Sequence, residues 1–315
     1  MAVIAWFVLV PLTMAVYATN LPSGPLGSAS PAGYGLAYRD VAFRTADEVR
    51  LSAWYVPPRN GAVVMLLPGA GSTRTAVLGQ AAVLARHGYG TLLLDTRGHG
   101  RSGGHAMDFG WRGGRDITAV VSYLTRQPGV LPGKIAALGE SMGGEQAIAA
   151  LGSDPRIRAV VAAGVTGMQG ADHGWLPRGI DGALTRGLEW VMYTAAGSLS
   201  GAPRPVPLRD AITVGYRPVL IIAGGGVPDE PTAARWFQAA SPSVRVWVVP
   251  HAGHTAALAT QPGAWDEPAT SFLAAALNPA AAAAVSSTRP GAAPTAGHAV
   301  MTGPSAVRAG RPALP

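Results

Sequence analysis

The chain has 315 residues, 48% of them hydrophobic, which is enough for one large α/β domain or two modest domains. Its net charge of +7 comes from scattered arginines, Lys134 being the only lysine, and no basic run or aromatic–basic platform indicates a nucleic-acid partner. The absence of cysteine excludes disulfides, thiol catalysis and thiolate metal sites.

The N-terminal segment, residues 1–19, is almost wholly apolar and carries no charged side chain. Its length of about 18 residues is at the lower limit for a membrane span, and it lacks the polar positions of an amphipathic helix. We therefore expect a single-pass membrane anchor that locates the protein at a membrane. The alternatives are a signal peptide, whose cleavage would leave a secreted protein, and a buried core helix. Residues 20–37, rich in Gly, Pro and Ser, are predicted to form a linker.

Between residues 38 and 277 short apolar runs alternate with helical patterns. The predicted strands are 40–44, 49–56, 62–67, 91–94, 134–138, 157–163, 218–223 and 244–249. The predicted helices are 75–87, 115–126, 145–151, 232–239 and 264–277. This alternation indicates an α/β fold with a mostly parallel sheet and helices on both faces. From residue 278 to 315 the chain is rich in Ala, Pro and Gly, which predicts a disordered tail.

Residues 139–143 (Gly-Glu-Ser-Met-Gly) lie between a predicted strand and a predicted helix. A G-x-S-x-G sequence in that context is typical of a nucleophile elbow, a turn so tight that larger side chains at Gly139 and Gly143 would clash. The turn would expose the hydroxyl of Ser141 above the sheet. Ser141 is therefore the candidate nucleophile.

A serine hydroxyl needs a base to accept its proton and an acid to hold that base in the correct tautomer. On this scaffold the acid and then a histidine should follow the serine, each just after a strand. His254 follows the last predicted strand, and His251 is its competitor. Two adjacent carboxylates, Asp229 and Glu230, follow the preceding strand. We favour Asp229, which is shorter and nearer the strand, with Glu230 as the alternative.

Oxyanion stabilisation requires two hydrogen-bond donors. One would be the backbone N–H of Met142, which follows the candidate nucleophile. The loop at residues 68–71 follows a buried strand, and its small residues would let the backbone approach a substrate. The N–H of Ala70 is therefore the second candidate.

Four motifs occur together: Leu-Pro-Gly-Ala-Gly at 67–71, Asp-Thr-Arg-Gly-His-Gly-Arg-Ser at 95–102, Gly-Glu-Ser-Met-Gly-Gly at 139–144, and Gly-His at 253–254. With them, the chain from about residue 38 to 277 resembles the α/β-hydrolase superfamily, in particular bacterial serine hydrolases related to serine aminopeptidases and lysophospholipase-like esterases. The resemblance implies an α/β-hydrolase domain with a small helical cap at about 165–217. It also implies that Arg97 and His99 brace the active-site entrance. Pro68 departs from the histidine usual in the family.

These features predict a serine hydrolase that cleaves carboxylic esters through an acyl-enzyme, with a small-molecule acyl substrate and no cofactor or metal. A peptidase or thioesterase of the same fold is one alternative. A catalytically silent binding protein is the other. In the predicted cap, Ile180, Leu184 and Leu188 share a helical face that would line an acyl pocket or pack the cap onto the body. No oligomeric state is predicted.

Overall fold

The computed structural model describes residues 2–20 and 24–278. The strands are β1 (Arg39–Arg44), β2 (Arg50–Val56), β3 (Val63–Leu67), β4 (Gly90–Asp95), β5 (Ile135–Glu140), β6 (Ile157–Ala163), β7 (Val219–Gly224) and β8 (Val244–Val249). The helices are α1 (Ala2–Asn20), α2 (Leu78–Arg86), α3 (Gly113–Leu124), α4 (Met142–Leu151), α5 (Ile180–Ser200), α6 (Leu208–Gly215), α7 (Asp229–Gln238), α8 (Ala257–Thr260) and α9 (Pro262–Leu277).

The strands form one 8-stranded sheet in the order β1-β2-β4-β3-β5-β6-β7-β8. β2 pairs antiparallel with both β1 and β4, whereas all neighbours from β4 to β8 are parallel. The carboxyl ends of the parallel strands therefore lie at one edge of the sheet, where ligands of such folds bind. The prediction of an α/β fold with a mostly parallel sheet is confirmed.

The core has one layer on each face of the sheet. In β3 the side chains of Val63, Met65 and Leu67 pack into one buried cluster, and those of Val64 and Leu66 pack into another. Successive strand residues point to opposite faces, so an uninterrupted apolar strand needs cover on both. Helices α3, α4, α6 and α7 cover the first face, and α2 and α9 cover the second.

Helix α1 packs along α5 on the body of the protein. Its buried residues Pro11, Ala15 and Ala18 are spaced four and three residues apart and so share one face of the helix. Within the described ranges, no helix is long and apolar enough to cross a membrane. The predicted single-pass anchor, and with it membrane attachment through residues 1–19, is therefore wrong. The cleaved signal peptide stays a prediction.

The segment between β6 and β7 contains α5 and α6. Helix α6 packs on α4. Helix α5 buries Tyr193 and Ala196 but exposes Ile180 and Leu184, so the face predicted to line an acyl pocket points largely to solvent. Hydrophobic spacing identified a helical face but not the neighbour that covers it. The cap, like the rest of the domain division, stays a prediction.

The predicted linker and tail are only partly described. In the linker, Pro31–Tyr34 forms a short 3-10 helix, and Leu26 packs against the second buried cluster. Residues 21–23 of the linker lie outside the described residues. The same is true of the predicted tail beyond Asn278.

Candidate active site

The turn between β5 and α4 places Ser141 at the carboxyl edge of the sheet. Ser141 has a φ of 50° and a ψ of −122°, a conformation that non-glycine residues rarely adopt. Its N–H donates a 2.7 Å hydrogen bond to the carbonyl of Ala163 at the end of β6, which holds the turn against the neighbouring strand. A strained serine on a strand–turn–helix unit has the geometry of a nucleophile elbow.

Two glycines make this turn sterically possible. A Cβ at Gly139 would lie 2.3 Å from the backbone of Gly143. A Cβ at Gly143 would lie 2.3 Å from the carbonyl oxygen of Leu67. These contacts are with backbone atoms, which cannot move aside as the end of a flexible side chain can. The prediction that larger side chains would clash at both positions is confirmed.

The carboxylate that contacts His254 belongs to Glu230. Glu230 is fully buried, and its Oε1 lies 2.7 Å from Nδ1 of His254. Its other oxygen, Oε2, accepts a 2.7 Å hydrogen bond from the N–H of Gly224 at the end of β7. The hydrogen bond with Glu230 raises the pKa of His254 above its usual value, because it favours the protonated ring. The glutamate thus fixes the orientation of the imidazole.

Asp229, the acid favoured from the sequence, does not reach this histidine. It is the first residue of α7, its side chain is exposed, and no hydrogen bond joins it to His254 within the described residues. Glu230 is the second residue of the same helix and turns inward. The preference for the shorter, strand-proximal carboxylate fails, because consecutive helical residues point about 100° apart and only one of them faces the sheet edge. The geometry favours the alternative, Glu230.

His254 lies beside Gly164, the residue that follows β6. A Cβ at Gly164 would be 2.9 Å from Cε1 of His254, so the ring packs directly on this glycine. Gly164 in turn follows Ala163, whose carbonyl binds the N–H of Ser141. The Ser141 hydroxyl is half-buried and makes no hydrogen bond with any described residue. Catalytic hydrogen bonds are often long or misaligned without substrate, so this geometry is compatible with proton transfer between the two.

The two candidate oxyanion donors belong to segments that pack against each other. Met142 is the first residue of α4, and its N–H has no acceptor within that helix. The N–H of Ala70 likewise finds no acceptor among the described residues. The start of α4 is pressed against the loop after β3, because a Cβ at Gly143 would lie 2.6 Å from the carbonyl oxygen of Pro68. Both amides are therefore available at the carboxyl edge of adjacent strands.

His99 braces the loop that carries Ala70. Its Nε2 accepts a 3.1 Å hydrogen bond from the N–H of Gly71, and its Nδ1 donates to the carbonyl of Arg97 at 2.8 Å. Burial lowers the pKa of His99, so the neutral ring supplies one donor and one acceptor as these bonds require. Arg97 in turn is held by Asp116 and Asp47. These contacts match the bracing role that the family resemblance implies for Arg97 and His99.

Two further acids lie close to the elbow. Burial raises the pKa of Glu140 to about 7, although Nε2 of Gln80 donates a 2.5 Å hydrogen bond to it. Burial also raises the pKa of Glu145 to about 7, although the N–H groups of Thr166 and Gly167 donate to its Oε1. Nothing in the sequence pattern marked these acids. In the described part of the chain, no group of three or more His, Asp or Glu could hold a metal ion.

The fold and the elbow geometry are those of an α/β-hydrolase. A family model for serine aminopeptidases, S33, matches residues 58–200. An uncharacterised protein of Mycobacterium tuberculosis is 32% identical over 243 residues, covering 74% of this chain and 77% of that protein. The chain belongs to the α/β-hydrolase superfamily.

Two further similar proteins are hydrolases by name. The structure of an esterase from Pyrococcus furiosus superposes with a TM-score of 0.64 at 25% identity, covering 81% of this chain and 97% of that one. A thiohydrolase of Aspergillus aculeatus is 26% identical over 213 residues, covering 66% of each chain. The family and these neighbours indicate that the chain is a hydrolase, and a small-molecule substrate fits that class.

Proposed function

We propose that the protein is a serine hydrolase that cleaves carboxylic esters through an acyl-enzyme intermediate. The observation that carries the proposal is the strained elbow at Ser141 beside the His254–Glu230 pair. In that pair, Nδ1 of His254 lies 2.7 Å from Oε1 of Glu230. A serine held in strained geometry next to an oriented imidazole has the requirements for nucleophilic catalysis. The similarity to an esterase of known structure supports the choice of ester substrates.

In the proposed reaction, Oγ of Ser141 attacks the ester carbonyl while Nε2 of His254 takes the hydroxyl proton. Glu230 holds the proton of Nδ1 and stabilises the imidazolium that forms. The amides of Met142 and Ala70 bind the oxyanion of the tetrahedral intermediate. The C–O bond then breaks, and His254 delivers its proton to the leaving alcohol. Water repeats the sequence on the acyl-serine, which releases the acid and restores the serine hydroxyl.

A fluorophosphonate probe tests the nucleophile, because it phosphonylates only an activated serine. We expect the wild type to be labelled and Ser141→Ala to remain unlabelled and inactive. Ser153→Ala is a suitable control, because this serine is more exposed than Ser141 and lies at the far end of α4. Folded wild type that resists the probe would refute the proposal and leave the silent binding protein as the function.

The class of acyl bond needs its own experiment. Thioesters are the second candidate, because a thiohydrolase is among the similar proteins, and amides are the third, because the matching family model describes an aminopeptidase. An ester, a thioester and an amide of one acyl group should be compared by kcat/KM. We expect the ester to be the best substrate. A tenfold or greater preference for the thioester or the amide would overturn that part of the proposal.

A further inference from the structure

The last turn of α1 lies next to both segments that carry the candidate oxyanion donors. Ala18 is fully buried and packs in a small cluster with Met107 and Met142. Tyr17 precedes it, and the Tyr17 hydroxyl lies 3.9 Å from where a Cβ of Gly71 would be. Gly71 is the neighbour of Ala70. Ala18 thus packs on the first residue of α4, and the residue before it, Tyr17, borders the loop after β3.

This end of α1 is itself held in place. The Thr19 carbonyl lies 3.1 Å from Nδ1 of His105 and accepts its hydrogen bond. The Thr19 hydroxyl donates to the carbonyl of Ala15 at 2.7 Å. Thr19 is also buried, so its hydrogen bond with His105 joins the last turn of α1 to the body inside an otherwise apolar contact region, whereas the bond to Ala15 lies within the helix. The helix end is therefore a fixed support.

Met142 is confined from a second side by a strained segment. Asp108 and Phe109 have φ values of 48° and 51°, and Gly110 follows with 77°. A Cβ at Gly110 would lie 2.8 Å from Cγ of Met142, and Phe109 packs against the cluster that contains Ala18. Consecutive strained residues persist only where the surrounding packing determines them. The Met142 side chain is thus enclosed between this segment and α1.

We propose that the last turn of α1 positions the oxyanion hole, with Ala18 acting through Met142 and Tyr17 acting through the loop at residues 69–71. The inference rests on the proposed function, because it assigns a role to the donors of that reaction. Donors aimed at a developing charge must be preorganised, and a misplacement of about 1 Å can lower the rate by about 10²-fold. Ala18 and Tyr17 are positioning residues, since neither contacts the reacting atoms.

The test compares one substitution at two buried alanines of the same helix. Ala18→Val adds two methyl groups against Met142, whereas Ala15→Val adds them within the main core cluster, which does not contain Met142. Both should lower Tm, because overpacking a filled core is destabilising. Only Ala18→Val should lower kcat, by roughly tenfold, which is less than the 10²–10³ typical for complete loss of one donor. The KM for a short activated ester should change less than about twofold.

Two further pairs of variants keep the test usable if the valine variants do not fold. Ala18→Gly and Ala15→Gly remove the contact instead of crowding it, and again only the former should reduce kcat. Tyr17→Ala should lower kcat about threefold, well short of the 10²–10³ that removal of a whole donor costs, because the donor would shift without being lost. Trp6→Ala, which removes an exposed aromatic side chain at the other end of α1, should leave kcat unchanged.

The outcomes separate this inference from the proposed function. Equal kcat for the Ala18 and Ala15 variants, with Ser141→Ala inactive, would overturn the role of α1 alone. Activity retained in Ser141→Ala would overturn the proposed function itself. A rise in KM at constant kcat in Ala18→Val would also contradict the inference, because it would indicate a substrate-binding wall rather than oxyanion positioning.

Discussion

Replacing Glu230 by glutamine should abolish turnover while preserving the fold. The two carboxylate oxygens face different partners: Oε2 accepts from the N–H of Gly224, and Oε1 contacts Nδ1 of His254, each at 2.7 Å. In Glu230→Gln the new amide oxygen must take the Gly224 side, since an N–H cannot accept a hydrogen bond. The amide NH₂ then faces Nδ1, so the imidazole must carry its proton on Nε2. That tautomer cannot accept the proton of Ser141.

The size of the effect follows from this tautomer change. An acid-to-amide substitution in a serine protease triad leaves the geometry intact and lowers kcat by about 10⁴. A factor of about 10⁴ corresponds to about 5.4 kcal/mol of transition-state stabilisation. We expect a loss of that order here, because Glu230 is fully buried and water cannot replace it. In Asp229→Asn, which changes an exposed neighbour that makes no hydrogen bond with His254, kcat should stay within about twofold of wild type, because the Glu230–His254 contact is intact.

The assay is steady-state hydrolysis of an activated ester, with circular dichroism and Tm to confirm that each variant is folded. Active-site titration with a fluorophosphonate gives the concentration of competent enzyme. A large loss in Asp229→Asn combined with normal turnover in Glu230→Gln would refute the assignment of Glu230. Normal turnover in both variants would show that His254 needs no carboxylate partner.

Three further predictions concern pH and packing. The kcat/KM of the wild type should fall as His254 gains a proton, with a midpoint above 6.5, because the hydrogen bond with Glu230 raises its pKa; a midpoint below 6.5 would contradict this. Burial raises the pKa of Glu145 from 4.5 to about 7, so the folded state binds its proton more tightly. Glu145 alone should therefore lower the free energy of unfolding by up to about 3 kcal/mol between pH 5 and 8, and the drop measured with urea should be smaller by that amount in Glu145→Gln than in the wild type. Gly143→Ala should lower Tm strongly because of its 2.3 Å backbone contact, whereas Gly114→Ala, which meets nothing within 4 Å, should not.

The fold and most of the candidate site followed from spacing along the sequence. Ser141 and His254 were identified because each follows a strand, and parallel strands bring their carboxyl ends to one edge whatever the details of packing. The tight turn around Ser141 was likewise predictable, since only residues without a Cβ fit at Gly139 and Gly143. The ends of strands and the positions that exclude a Cβ can be recognised in short stretches of sequence. One sequence is therefore enough to predict these features.

The choice between the two acids depended on helix phase, which spacing does not specify. Asp229 and Glu230 are adjacent in sequence, yet the start of α7 at Asp229 turns one outward and the other toward Gly224. A shift of the helix by one residue would bring Asp229 to the direction that Glu230 has and turn Glu230 away, since each residue advances about 100° around the axis. The burial of Glu140 and Glu145 could not be predicted from the sequence for a related reason. Their burial depends on neighbours far away in sequence.

The N-terminal helix shows why composition alone misled. An apolar stretch without charges is expected both for a span and for a helix packed against an apolar surface. The folded chain separates the two, because Pro11, Ala15 and Ala18 are buried on one face and α1 packs along α5. Two partners of Ala18, Met107 and Met142, lie about 90 and 120 residues away in the chain. Only the folded structure brings this helix to the elbow, where its final turn supports the amides that would hold the oxyanion.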